Sequence, residues 1–156
     1  MACRFGYRSA LLSESVNRRN QMNENPPTML LVEDNAADVY FMRTALAHEG
    51  IETEIFVAHD GEKAIEFVEA AETNPGAPCP QLVLLDLNLP RTSGAEVLRR
   101  IRNSPRCADV PVIIVTSSDA PNDRAEAVSL GASRYFLKPH NIDDYFKLAS
   151  VVKEVL

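Results

Sequence analysis

The sequence predicts a single α/β domain over residues 28–156, a doubly wound five-stranded parallel sheet assembled from five successive strand–helix units, (βα)5. Three observations predict it. The runs Met29-Leu30-Leu31-Val32, Leu82-Val83-Leu84-Leu85 and Val112-Ile113-Ile114-Val115 are apolar without alternation, as in strands covered on both faces. Between the strand-like runs lie stretches with apolar residues at helical spacing, so strand and helix alternate five times. Each apolar run also opens directly into polar residues: Glu33-Asp34-Asn35, Asp86 and Thr116-Ser117-Ser118.

The elements follow in order. After the first strand, Val39, Phe41, Met42, Ala45 and Leu46 mark a helix that stops near Gly50. Ile51, Thr53, Ile55 and Val57 alternate with polar residues, as a half-covered edge strand would. Asp60-Gly61 opens a second helix whose face is Ala64, Ile65, Phe67 and Val68, followed by the loop Asn74-Pro75-Gly76-Ala77-Pro78-Cys79-Pro80. The third strand leads to a helix around Ala95, Val97, Leu98 and Ile101, closed by Asn103-Ser104-Pro105. The fourth leads to a helix that starts near Pro121, a residue favoured in a first helical turn, and closes at Gly131. Tyr135-Phe136-Leu137 is a short fifth strand ending in Lys138-Pro139, and the last helix runs from about Ile142. The strand order expected, 2-1-3-4-5, is that of flavodoxin-like sheets and is carried over from them, with a switch point between the first and third strands.

Residues 1–27 differ from the rest. They carry a net charge of +2, leaving −8 for the remainder, and offer little to bury before Pro26-Pro27. They read as a flexible N-terminal extension, with a transient helix over 11–19 and Met22 as an alternative start. The apolar stretch Ala10-Leu11-Leu12 is too short for a signal peptide.

Composition excludes several classes of function. A net charge of −6 disfavours nucleic acid, whose phosphates need a basic face. No apolar run approaches the roughly 20 residues of a membrane helix. Cys3, Cys79 and Cys107 are odd in number, with no CxxC pair, and read as reduced thiols of a cytoplasmic protein. Neither GxxxxGK[ST] nor GxGxxG is present, which removes the commonest nucleotide-binding motifs.

What remains is the set of strand ends. In open α/β sheets ligands bind outside the carboxyl ends of the strands. With the first and third strands adjacent, Glu33, Asp34 and Asp86 share one pocket, and three carboxylates that close need a counter-charge. A hard divalent cation supplies it, and Mg2+ in particular keeps positions open for phosphate. Lys138 adds a cation suited to a phosphoryl oxygen and Thr116 a hydroxyl donor, so the set forms a phosphoryl-transfer site with Asp86 as nucleophile. Taken singly, each residue has a plainer role. Glu33 and Asp34 could cap the first helix, Asp86 could cap a turn, Thr116 could be a β-branched strand residue and Lys138 a solvated charge. Their coincidence at consecutive strand ends favours the site.

Residues 28–156 resemble a receiver domain of the two-component response-regulator family. The resemblance rests on Leu30-Leu31-Val32-Glu33-Asp34-Asn35, on Leu84-Leu85-Asp86-Leu87-Asn88-Leu89-Pro90 with Gly94 after it, on Val115-Thr116-Ser117, and on Gly131-Ala132 through Tyr135 to Lys138-Pro139. Glu-Asp-Asn followed by Ala-Asp, and Asp-Leu-Asn-Leu-Pro, are similar to the small stand-alone regulators that partner phytochromes. The resemblance implies that a sensor histidine kinase, in that narrower comparison a phytochrome, phosphorylates Asp86. It implies Mg2+ held by Asp34, Asp86 and the backbone carbonyl of Asn88, with Glu33 acting through metal-bound water. Lys138 would pair with the aspartyl phosphate, its bond to Pro139 cis. Thr116 would move to the phosphoryl oxygen, and Tyr135 would either swing inward as a switch or stay an ordinary core aromatic. Asn88 and Ser118 would tune dephosphorylation. Glu33 stands where many members have Asp, which implies altered metal affinity without loss of function.

No output domain is read after the last helix, so output is expected through a protein contact or by passing the phosphoryl group to a histidine phosphotransfer protein. In that helix Ile142, Phe146 and Ala149 form one stripe and Tyr145, Leu148, Val152 and Leu156 another. This reads either as a homodimer face on the fourth and fifth helices or as one broad core face. Of two rivals of other classes, the first lacks its general acid and the second remains. A haloacid-dehalogenase-type phosphatase would carry a second Asp two residues after the first, where this chain has Asn88. A binding module independent of phosphorylation would keep the fold alone. The chain is expected to be no enzyme beyond its own phosphorylation and dephosphorylation.

Overall fold

In the computed structural model, which describes residues 25–156, the strand–helix alternation gives ten elements. They are β1 (Thr28–Val32), α1 (Ala36–His48), β2 (Glu54–Ala58), α2 (Gly61–Thr73), β3 (Leu82–Leu85), α3 (Gly94–Arg102), β4 (Val112–Thr116), α4 (Pro121–Ser129), β5 (Arg134–Leu137) and α5 (Ile142–Val155). The strands form one sheet in the expected order, β2-β1-β3-β4-β5, with every pair parallel. The three unbroken apolar runs are the inner strands; β3 and β4 are buried throughout.

Side chains alternate between the two faces of a sheet. On one face Leu30, Val32, Val83, Leu85, Val112 and Ile114 pack with Ala64 and Val68 of α2, Val97, Leu98 and Ile101 of α3, and Ala127 of α4. On the other, Met29, Leu31, Leu82, Leu84, Ile113 and Val115 pack with Val39, Met42 and Leu46 of α1 and Tyr145, Leu148 and Val152 of α5. Burying one such large side chain contributes about 1.5–3 kcal/mol. The division of helices, α1 and α5 against α2–α4, follows from right-handed crossovers that reverse direction between β1 and β3.

Local chemistry fixes the helix starts. Asn35 caps α1, its Oδ1 accepting from the N–H groups of Ala37 and Asp38. Ser93 and Glu96 form a reciprocal capping box on α3. Pro121 opens α4, where its missing N–H costs nothing. Gly131 follows α4 at φ +86°, a conformation in which a side chain would be strained.

Register sets the edge where the polar residues emerge. Val32 pairs with Leu85, and Asp86 N donates to Val32 O at 3.0 Å, so Glu33 and Asp86 leave the sheet side by side. Thr116 pairs with Leu137, and Lys138 N donates to Thr116 O at 2.8 Å. Each helix returns the chain to the opposite edge. At the far end of α5, Glu154 lies 4.0 Å from Arg134, the first residue of β5.

Several expectations need correction. Strand β2 begins at Glu54, not Ile51, because Ile51 N is spent on Leu46 O in closing α1. The two stripes of α5 merge into one broad face at its centre. Tyr145, Leu148, Ala149 and Val152 are all buried and Phe146 packs beside them, while Ile142 and Leu156 stand exposed.

Cys79 and Cys107 are not separate thiols. They form a disulfide with Cα atoms 6.1 Å apart, within the span that such a bond reaches. The loop before β3 and the loop between α3 and β4 meet at the starting edge of the sheet, which a separation of 28 residues does not reveal. Arg106 strengthens the same seam, donating to the carbonyl oxygens of Ala71 and Asn74. Cys3, and residues 1–24 of the flexible extension expected over 1–27, lie outside the described residues. No helix among the described residues is long and apolar enough to cross a membrane.

Candidate functional site

The loops after β1, β3 and β5 converge on one ammonium group. Lys138 Nζ lies 2.6 Å from Glu33 Oε2, 2.7 Å from Asp86 Oδ2 and 3.0 Å from Asp38 Oδ2. Glu33 and Asp86 are buried, and the lysine side chain is 9% exposed, so these charges meet with little water between them. Backbone groups steady the carboxylates. Asn35 N donates to Glu33 Oε1 at 3.0 Å and Asn88 N to Asp86 Oδ1 at 3.1 Å.

The two partners of the closest pair are biased differently. Burial alone would lower the lysine, but its close pairing with the Asp86, Glu33 and Asp38 carboxylates outweighs it and holds the ammonium protonated well above the usual range. For Glu33, burial outweighs Lys138 and the Asn35 N–H, and the carboxyl is raised to about 7. The reason is sharing: one ammonium serves three acids, and Glu33 is the most deeply buried of them.

The acidic surplus fits a divalent cation. Glu33, Asp34 and Asp86 each offer an oxygen, and these atoms lie within 4.8 Å of one another. Glu33 Oε2 is buried and, although close to Lys138, lacks a donor in hydrogen-bonding direction. An oxygen left in that state suits a metal or a metal-bound water, and hard oxygen donors are what Mg2+ takes. Asp34 is exposed and faces solvent, leaving the cluster open on one side.

The remaining expected residues sit on the neighbouring loop. Thr116 is fully buried at the end of β4, its Oγ1 accepting from Ser118 N at 3.4 Å. The Ser118 hydroxyl donates to Asp123 in the first turn of α4. Tyr135 is half-buried. Its ring packs on the α2–α4 side of the core under the Arg124 guanidinium, 4.4 Å from the ring centroid, and its hydroxyl donates to Ser118 O at 2.7 Å. Asn88 is exposed next to Asp86. The Lys138–Pro139 bond is trans, contrary to the cis form expected, since the described residues contain no cis peptide. Trans is the intrinsically favoured isomer of an X–Pro bond by about 0.5–1 kcal/mol, and Lys138 reaches all three acids from it.

Two residues at this site were missed in the sequence. Asp38, in the first turn of α1, binds Lys138 and also accepts a hydrogen bond from the Tyr145 hydroxyl at 2.9 Å. Tyr145, buried in α5, is held protonated by burial and by the Asp38 carboxylate. The available signal was position: an acid three residues after an N-cap, at a strand's carboxyl end, is aimed at the same edge as Glu33 and Asp34.

Comparison with known proteins gives a consistent picture. Residues 29–150 match the family model described as the response regulator receiver domain. Response regulator Rcp1 of Synechocystis sp. is 35% identical over 130 residues, covering 83% of this chain and 88% of Rcp1. The crystal structure of the phosphorylated cyanobacterial phytochrome response regulator RcpA superposes with a TM-score of 0.75 at 31% identity, covering 83% of this chain and 93% of RcpA. The Mn2+-bound form of Rcp1 does so with a TM-score of 0.74 at 33% identity, with the same coverages of 83% and 93%.

Proposed function

The chain belongs to the response regulator receiver domain family, and from that premise we propose that it is a phosphorylation switch with Asp86 as acceptor. The observation that carries this is the buried Asp86 carboxylate at the carboxyl edge of β3, 2.7 Å from Lys138 and beside the Glu33–Asp34 pair. A role in two-component signalling follows from the family, and the donor is a histidine kinase. An Asp86 oxygen attacks the phosphorus of the kinase's phosphohistidine. The O–P bond forms as the P–N bond breaks, and the imidazole leaves with a proton taken from solvent.

Glu33, Asp34, Asp86 and the backbone carbonyl of Asn88 would hold Mg2+, Glu33 through a bound water. The ion, when bound, neutralises negative charge on the transferring group. Lys138 then pairs with a phosphoryl oxygen, and Thr116 turns its hydroxyl from Ser118 N toward another. Added charge and acceptor oxygens bias the β4–α4 loop, and Tyr135, tied to that loop through Ser118 O, follows it. Exposed Asn88 and half-buried Ser118 flank the approach of water to the acyl phosphate and set its lifetime.

The likeness to RcpA and Rcp1 supports a phytochrome as the kinase partner. Val128 on α4, Leu137 on β5 and Ile142 on α5 are exposed apolar side chains, which supports a homodimer contact on this side of the molecule. Onward transfer to a histidine phosphotransfer protein uses the same acceptor. A module that works without phosphorylation is disfavoured by the complete set of Glu33, Asp34, Asp86, Thr116 and Lys138.

Intact mass after incubation with a small phosphodonor and Mg2+ tests the reading. One base-labile phosphoryl group is expected, absent from Asp86→Asn and absent without Mg2+. A folded wild type that takes no phosphoryl group from either the small donor or a phosphorylated histidine kinase would overturn it.

A further inference from the structure

An ammonium has three N–H donors; Lys138 donates to Asp86 and Asp38 and lies 2.6 Å from Glu33 Oε2 without a hydrogen bond to it. Two of these acids, Glu33 and Asp86, belong to the cluster that a cation would occupy, and Asp38 does not. Anything positive that binds there competes with Lys138 for Glu33 and Asp86 and leaves Asp38 as its fixed contact. Asp38 is itself fixed on both oxygens: Oδ2 faces Lys138 at 3.0 Å, and Oδ1 accepts from the Tyr145 hydroxyl at 2.9 Å. Its backbone N–H is tied to the Asn35 cap at 3.3 Å.

The plainer role for Asp38 is an acid in the first turn of α1, favourable to the helix dipole. That role needs no particular partner and is usually filled facing water. Here the side chain is 21% exposed and turned toward the core, with Tyr145 3% exposed behind it. Tyr145 lies in the first turn of α5, its ring centroid 5.6 Å from that of Phe41 on α1. Lys138, Asp38 and Tyr145 thus form an unbroken polar chain from Asp86 through the α1–α5 face, on the opposite side of the sheet from Tyr135.

We propose that Asp38 is a positioning residue for Lys138, and that the chain Lys138–Asp38–Tyr145 carries the state of Asp86 to the start of α5. This rests on the reading of Asp86 as phosphoacceptor. A phosphoryl group on Asp86 draws the ammonium toward its own oxygens and away from Asp38. The carboxylate, left with Tyr145 as its one strong partner, strengthens that hydrogen bond and shifts the first turn of α5.

The test uses the full chain with 13C at the hydroxyl-bearing ring carbon of tyrosine, the Tyr145 signal being assigned with Tyr145→Phe. A small phosphodonor and saturating Mg2+ are added, and adduct mass and tyrosine NMR are read on the same sample. In the wild type the Tyr145 signal moves in step with the adduct. In Asp38→Asn phosphorylation slows by on the order of tenfold, as loss of alignment predicts, and the Tyr145 signal no longer responds to the adduct. Asp38→Glu recovers part of the rate. Wild type fully phosphorylated with an unmoved Tyr145 signal overturns the inference, as does Asp38→Asn phosphorylated at the wild-type rate. If Asp38→Asn does not fold, the wild-type signal and the Asp38→Glu rate decide. Absence of any adduct on the wild type, from the small phosphodonor and from a phosphorylated histidine kinase alike, overturns the phosphoacceptor reading and this inference with it, and so is distinct from an adduct without a tyrosine response.

Discussion

Lys138 Nζ stands 2.7 Å from Asp86 Oδ2 although β3 and β5 are not neighbours: β4 lies between them. The contact spans a strand by means of the lysine's length, and it closes the carboxyl edge of the sheet over Thr116.

Removing the ammonium leaves the buried Glu33 and Asp86 and the partly buried Asp38 without a counter-charge. Breaking a buried pair on one side costs about 3–5 kcal/mol, and Glu33 can relieve part of this by keeping its proton. Lys138→Met should therefore lower the urea unfolding free energy at pH 7.5 in chelator by about 3 kcal/mol. Millimolar Mg2+ or a drop to pH 5 should recover part of the loss.

The buried Glu33 carboxyl is raised to about 7 from an ordinary value of 4.5. The folded state then holds the proton more tightly than the unfolded chain. The associated stability is full below pH 4.5 and is lost as pH rises through about 7. In chelator, thermal and urea unfolding between pH 5 and pH 8 should show the wild type losing stability relative to Glu33→Gln, by on the order of 2–3 kcal/mol. A constant difference across that range would show that Glu33 does not titrate there.

A side chain at position 94 would run into the carbonyl of Asp86 and stand 2.6 Å from Leu87 Cα. Both are backbone atoms of the loop that carries the Asp86 carboxylate and cannot rotate away. Gly94→Ala should cost about 2–3 kcal/mol as an overpacked contact and lower the phosphorylation rate, because relief comes only by moving Asp86. Urea titration and the rate of adduct formation, measured on the same preparation, check both.

The Cys79–Cys107 bond closes a loop of 28 residues that contains β3 and α3. Loop-closure entropy gives such a bond about 3–4 kcal/mol. Reductant, or Cys79→Ser, should lower the urea midpoint accordingly. The phosphorylation rate should hold, since the bond lies at the opposite edge of the sheet from Asp86.

Much of this was legible because the determinants are local. Unbroken apolar runs identified β1, β3 and β4, and turn residues placed Glu33, Asp34, Asp86, Thr116 and Lys138 at strand ends. What escaped was lateral. The 100 residues between Lys138 and Asp38, and the 107 between Tyr145 and Asp38, close only when α1 and α5 pack on the same face. Tyr145 looked like one more apolar position in a helical stripe, because periodicity records which face a residue takes and not what its hydroxyl meets. Cys79 and Cys107 meet for the same kind of reason, through two loops whose contact depends on the finished crossovers.

The return of α5 places Glu154 beside Arg134, at the edge where the strands begin, and the same edge receives Pro27, whose carbonyl accepts from Glu54 N at 2.9 Å. The carboxylate cluster opens on the other side. A fluorophore, affinity handle or surface tether attached near Pro26 or Leu156 would therefore be held a full strand length from Asp86. Immobilised or labelled protein would keep the Asp86 carboxylate on the side away from the attachment.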